Sequence, residues 1–157
     1  MSENSTHTPN YSRWGGCRPA AYVRPATPAA TVYPASLSEY RAALDWARSG
    51  SARIADATSA PEEMPQSARY YLTSDFQSGF GVDADGTLIG LFSTVKGRGE
   101  GLVWSAVLHK GAEKLDCFDG FLVDYYKRFG FVETERVANW TPGEPDVVFM
   151  DLRRAAV

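Results

Sequence analysis

Residues 95–101 read V-K-G-R-G-E-G, three glycines and two cations in seven positions. An apolar run, 87–92, leads into this stretch and an apolar-periodic segment, 102–108, leads out of it. The order predicted is strand, glycine-rich turn, helix. Glycines let a backbone approach an anion closely, and the first N–H groups of a helix have no partner inside it. Lys96 and Arg98 add positive charge at the same place. The stretch reads either as a phosphate cradle or as a tight turn that happens to precede a helix.

The flanking sequence sets the architecture. Ser36 and Glu39 have the spacing of a capping box, and Leu37, Tyr40, Leu44 and Ala47 fall near one face, with Gly50 as a stop. Residues 51–64 are small and polar and read as loop. Residues 66–72 read as a short second helix, although Tyr70 and Tyr71 also suit a strand. From 79 to 93 the pattern is a hairpin turned by Asp83-Ala84-Asp85-Gly86. Leu102, Val103, Ala106, Val107 and Ala112 give the helix after the glycine stretch, and 114–118 a short strand. Asp119 is placed to cap the next helix, whose apolar face is Phe121, Leu122, Tyr125 and Phe129. Residues 131–137 and 146–152 read as the last two strands, joined across Pro142-Gly143. This order predicts an α/β or α+β domain, a mixed central sheet with helices on both faces.

At 157 residues the chain suits one domain with a real core. Residues 1–35 carry Pro9, Pro19, Pro25, Pro28 and Pro34 among Ser, Thr and Ala and read as a flexible N-terminal tail. That leaves 36–153 as the domain and 154–157 as a C-terminal tail. Trp14, Tyr22 and Tyr33 are unusual for a free arm and could dock on the domain or on a partner chain. The net charge of −3 argues against a general grip on nucleic acid. No run approaches a membrane span, and no signal-peptide core is visible, so a cytoplasmic protein is expected. Cys17 and Cys117 match no zinc or redox spacing, and no metal is expected. Cys117 with His109 as base could make a nucleophile, but Cys117 sits in an apolar strand pattern where cysteine acts as a small hydrophobe.

The segment F-L-V-D-Y-Y-K-R-F-G-F, residues 121–131, resembles the L-Y-E-K-L-G-F signature that ends the last helix of GNAT-type N-acetyltransferases. The glycine stretch resembles that family's [R/Q]-x-x-G-x-[G/A] motif, with Lys96 in the first position and Gly97, Arg98, Gly99, Glu100 and Gly101 after it. The wording L-D-C-F-D-G-F-L, Y-Y-x-x-F-G-F and P-D-V-V-F-M is similar to GNAT-like proteins of actinobacterial phages and their hosts.

The resemblance implies the acyl-CoA N-acyltransferase fold and an acetyl transfer from acetyl-CoA to a primary amine of a small molecule or protein. It implies that Lys96, Gly97, Arg98, Gly99, Glu100 and Gly101 hold the pyrophosphate, with room for it at Gly99 and Gly101. It implies that the backbone of Ser93, Thr94 and Val95 pairs with the pantetheine arm, and that Tyr126 protonates the leaving thiolate. Asp119 stands where many members carry an Asn that contacts the cofactor, and a plain helix cap is the alternative there. Members usually have a further strand between hairpin and glycine loop that often supplies the general base. Here 88–95 enters the loop directly, so the expected sheet is one strand short and the base is unassigned. The same fold without catalysis, as an interaction or structural module, is the other reading, and neither reading chooses between a monomer and a homodimer.

Overall fold

The computed structural model describes residues 27–153. They fall into two compact units, 27–116 and 117–153. The expectations for Trp14, Cys17, Tyr22 and the C-terminal tail lie outside the described residues.

The first unit opens with strand β1 (Tyr33–Ala35), helix α1 (Leu37–Ser49) and helix α2 (Ala52–Ala57), followed by a 3-10 turn at Pro61–Glu63. Strands β2 (Arg69–Leu72), β3 (Ser78–Val82) and β4 (Leu88–Ser93) follow, then helix α3 (Gly99–His109). The four strands form one antiparallel sheet in the order β1-β2-β3-β4.

Helix α1 starts as its sequence predicts. The Ser36 hydroxyl accepts from the Glu39 N–H at 3.1 Å and the Glu39 carboxylate accepts from the Ser36 N–H at 2.8 Å, which satisfies two orphan donors reciprocally. Its buried stripe, Tyr40, Leu44 and Ala47, packs with Ile54, Met64, Tyr70, Leu72 and Phe92. The Tyr40 and Tyr70 rings lie 4.5 Å apart between centroids. Burying a side chain such as Leu44 or Phe92 is worth roughly 1.5–3 kcal/mol, so this cluster contributes substantially to the stability of the unit. Helix α3 differs in kind: Gly101 through Val107 are all buried, apolar all round, as in a helix with no solvent face.

Three expectations change. The second helix is Ala52–Ala57, inside the segment read as loop; Ser51 caps it by accepting from the Ile54 N–H at 3.2 Å. Residues 69–72 are strand, with Tyr70, Tyr71 and Leu72 buried in succession. Tyr33–Ala35, assigned to the tail, pair with β2 as Tyr33 opposite Leu72 and Ala35 opposite Tyr70. As the sequence implies, no strand lies between β4 and the glycine loop; β2 and β1 extend the β3–β4 hairpin on the side away from the loop.

Strand β5 (Lys114–Phe118) crosses the division between the units. Its first residue makes an isolated parallel bridge to Thr87. The second unit continues with helix α4 (Phe121–Lys127), β6 (Phe131–Val137) and β7 (Val147–Leu152), in the sheet order β5-β7-β6. Strands β6 and β7 are antiparallel from Phe131 opposite Leu152 to Val137 opposite Val147. Val123, Phe129, Phe131, Val148, Met150 and Leu152 are its buried residues. The mixed α+β architecture is thus present, with the strands divided between a four-stranded and a three-stranded sheet.

Candidate functional site

Strand β4 is irregular before it reaches the glycine loop. Gly81 faces Ile89 while Gly79 faces Phe92, so β4 carries one extra residue there, a bulge. Gly90 sits in it at φ +56°, and its carbonyl accepts from the hydroxyl of fully buried Tyr40. A Cβ at Gly90 would collide with that hydroxyl. Burial, with Tyr70 beside it, pushes the Tyr40 hydroxyl far above its ordinary pKa, so it stays a donor.

Beyond β4 the chain is bonded to itself before it is free. The Thr94 N–H donates to the Gln77 carbonyl at 2.9 Å and the Val95 N–H to the Ser93 hydroxyl at 3.0 Å. The Ser93 hydroxyl lies 2.8 Å from that of Ser78, which is fully buried. The Arg98 N–H turns back to the Val95 carbonyl at 3.3 Å, and the first α3 bond runs from the Leu102 N–H to the Arg98 carbonyl at 3.2 Å. The N–H groups of Lys96, Gly97 and Gly99 have no partner among the described residues. Lys96 and Gly97 are exposed, and Gly97 has φ +83° with open space where a Cβ would stand. This is a short row of unsatisfied donors at the start of an 11-residue helix, with the Lys96 ammonium beside it.

Two of the other loop positions, Arg98 and Gly101, have internal duties. The Arg98 guanidinium bonds both Asp75 oxygens, at 3.0 and 3.1 Å, and the Ser78 hydroxyl at 3.1 Å. It ties the loop to the β2–β3 turn. Asp75 is held down at about 2, first by the Thr73 hydroxyl, then by the Gln77 N–H, with Arg98 adding to both. Gly101 is buried, and the room expected there for phosphate is filled by the chain's own residues. Its carbonyl accepts from the Ala30 N–H at 2.8 Å, and a Cβ would stand 2.8 Å from the Pro28 carbonyl. Glu100 lies in the first turn of α3.

In the second unit Tyr126 is half-buried near the end of α4, its ring edge-on to Tyr125 at 5.3 Å and to Phe131 at 6.0 Å. Its hydroxyl has no hydrogen-bond partner among the described residues. Burial, then the neighbouring Tyr125 and Cys117, push its pKa well above the ordinary tyrosine value. The group is an acid that keeps its proton. Asp119 does not cap α4; Gly120, at φ +135°, takes that place without a side-chain cap. The Asp119 carboxylate instead accepts from Arg136 at 2.6 Å, and this bond lowers its pKa. Arg136 also grips Glu133 through two bonds of 2.9 and 3.0 Å.

Cys117 is half-buried in β5, within the second unit, whereas His109 ends α3 in the first. Among the described residues no cluster of His, Cys, Asp or Glu could hold a metal ion, and no helix is long and apolar enough to cross a membrane.

The sequence matches no family model and no curated protein. Among solved structures, the chain is similar to a Lactobacillus plantarum protein named as a presumed N-acetyltransferase. The two are 17% identical with a TM-score of 0.51, over 78% of this chain and 97% of that one. A weaker likeness, 14% identity and a TM-score of 0.46 over 81% and 97% of the two chains, is to Ard1 from Thermoplasma volcanium.

Proposed function

We propose, from the premise that this chain has the fold of GNAT-type N-acetyltransferases, that it transfers an acetyl group from acetyl-CoA to a primary amine. The observation that carries the proposal is the row of unpartnered amides at Lys96, Gly97 and Gly99 where α3 begins. These donors, the helix-end field and the Lys96 ammonium suit a diphosphate, and Gly97, at positive φ with open space where a Cβ would stand, leaves room for it. Glu100 contributes through its place in the same turn, and Arg98 by fixing the loop to Asp75. Thr94 and Val95 have committed their amides internally, so the pantetheine arm has the Thr94 carbonyl and the Ser93 end of β4 to pair with.

The chemistry asks for a neutral amine, donors for the tetrahedral oxyanion and a proton for the thiolate. The amine nitrogen bonds to the thioester carbonyl carbon, and the carbon–sulfur bond breaks as the tetrahedral species collapses. Tyr126 gives its hydroxyl proton to the departing sulfur, and the proton lost by the amine restores it through solvent. Tyr126 holds its proton at neutral pH, as a general acid must, while the burial that raises its pKa makes it a weaker acid than an exposed tyrosine. The irregular stretch of β4 at Gly90 offers backbone that is out of the ladder and held in place by Tyr40. Asp119 enters this reading least, since its carboxylate is held by Arg136. A donor of this kind goes with a cytoplasmic protein.

The test is calorimetric titration with CoA of the wild type, Lys96→Glu and Gly97→Val, with circular dichroism as folding control. Micromolar binding lost in Gly97→Val and weakened in Lys96→Glu supports the reading. A second reading, a non-catalytic module on the same fold, is favoured by the loss of Arg98 to Asp75, which leaves the loop one cation poorer. It predicts no heat with CoA at millimolar concentration.

A further inference from the structure

Helix α1 presents a second stripe beside its buried one: Glu39, Ala42, Ala43 and Trp46, at helical spacing. With Asp75, Phe76 and Gln77 of the β2–β3 turn it lines a groove of about 440 Å³. The two alanines make a low floor. Trp46, 59% exposed, and Phe76, 58% exposed, rise from opposite elements as its walls. Phe76 is also the one non-glycine residue with positive φ among the described residues, at 60°. A bulky residue in that conformation is a true outlier, and asparagine or glycine would hold the turn with less strain. The turn is nonetheless fixed: the Phe76 N–H donates to the Thr73 carbonyl at 2.9 Å, and the Asp75 carboxylate accepts from the Thr73 hydroxyl at 2.6 Å and the Gln77 N–H at 3.1 Å. The fold thus holds the turn that carries this exposed ring in a strained backbone conformation, across the groove from an exposed indole.

Charge selects what fits between them. No Lys or Arg lines the groove. Asp75 is matched by Arg98. Glu39 has no cationic partner among the described residues; one of its oxygens accepts from the Ser36 N–H, and its charge faces the groove from the far end of the stripe. Seven residues of helix separate Glu39 from Trp46, about 10 Å along the axis. That span suits one aromatic ring on a short arm ending in an ammonium. The indole face is itself attractive to a cation.

We infer that the groove between α1 and the β2–β3 turn is a binding site for a small organic cation with an aromatic body, the body between Trp46 and Phe76 and the ammonium toward Glu39. The inference goes beyond the acetyl-transfer reading and does not rest on it, since binding is read in the absence of CoA.

The test titrates the full chain with phenethylamine, phenethyl alcohol and phenylacetate, following backbone amides by NMR. Phenethylamine is expected to shift residues 39–46 and 75–77, and phenylacetate to bind at least about tenfold more weakly. Trp46→Ala should weaken phenethylamine by about fivefold or more, and Glu39→Gln should bring it close to the neutral alcohol. Phe76→Gly is the decisive variant: relieved of backbone strain it should melt at or above the wild-type temperature while binding at least about fivefold more weakly. Absence of groove shifts at about 10 mM phenethylamine, a range in which even weak sites fill, would overturn the inference. So would equal binding of phenylacetate, or full affinity in Phe76→Gly. Concentration-dependent shifts at the same residues without ligand would overturn it too, by naming a second copy of the chain as the occupant.

Discussion

The Ala30 backbone N–H donates to the Gly101 carbonyl at 2.8 Å, so a residue ahead of the first strand closes over the first turn of the helix that follows the glycine loop. The glycines of the loop therefore answer to different constraints, and substituting them separates binding from folding. Gly101→Val should destabilise the first unit by roughly 1–3 kcal/mol, because the new side chain meets the Pro28 carbonyl at a position that is already full. Gly97→Val meets nothing, and strains only the local backbone, by about 1–2 kcal/mol. Urea denaturation beside CoA titration checks this: Gly101→Val should shift the midpoint at least as much as Gly97→Val, and Gly97→Val should lose binding while the chain stays folded.

Asp75 makes stability depend on acid in a stated direction. Its pKa in the fold, about 2, lies below its ordinary 3.8, so the folded form holds the carboxylate more strongly than the unfolded one. The contribution is present above the ordinary value and disappears as pH falls from there through about 2. Wild type should exceed Asp75→Asn in melting temperature by a small, constant margin at pH 5 to 7, as befits an exposed pair, with the margin closing toward pH 2. A margin that grows on acidification would contradict the assignment.

Tyr126→Phe removes only a hydroxyl that has no bond to lose among the described residues, so its fold and CoA affinity should be those of the wild type. If that hydroxyl is the general acid, kcat falls by about 10²–10⁴ with a true amine substrate. Because its pKa is raised, the wild-type rate should show no decline from tyrosine ionisation below about pH 10, the ordinary value. An unchanged kcat would remove Tyr126 from the mechanism.

Tyr40 and Gly90 should behave as one unit. Tyr40→Phe strips a buried carbonyl of its donor and should cost about 1–3 kcal/mol. Gly90→Ala adds a methyl group against the hydroxyl at a backbone of φ +56° and should cost more. In the double variant the hydroxyl is gone, so the two losses should sum to less than their separate values, by 0.5 kcal/mol or more in a thermodynamic cycle, a rough threshold for coupled neighbours.

Local chemistry was readable where it was strong. The Ser36–Glu39 box, the Asp83–Gly86 turn and the 131–137 strand each form where expected. The general order of elements around the glycine loop followed from these. Helix α2 was hidden because it buries one residue, Ile54, which leaves no period to see. Strand β2 was hidden for the opposite reason: three successive buried residues erase alternation. Strand β1 is three residues long and contains Pro34, tolerable because it lies at a sheet edge. At the site, a row of glycines was legible as a loop before a helix, but partners were not. Nothing local to Arg98 says that its charge goes to Asp75, 23 positions earlier, or that Gly101 is filled by Pro28 and Ala30. The glycine at 90 inside an apolar run was the visible hint of the irregular strand, since such glycines mark bulges or close backbone approach.

Helix α3, buried on every side from Gly101 to Val107, has no face from which water can reach its bonds one at a time. The amide protons of Leu102 to Val107 are expected to exchange with solvent only through large openings of the first unit, whereas those of Lys96 and Gly97, a few residues earlier, are exposed. Among the described residues, exposed backbone thus gives way to fully buried backbone within about one helical turn. A ligand bound at that boundary would meet donors that are immediately accessible on one side and an immovable helix end on the other.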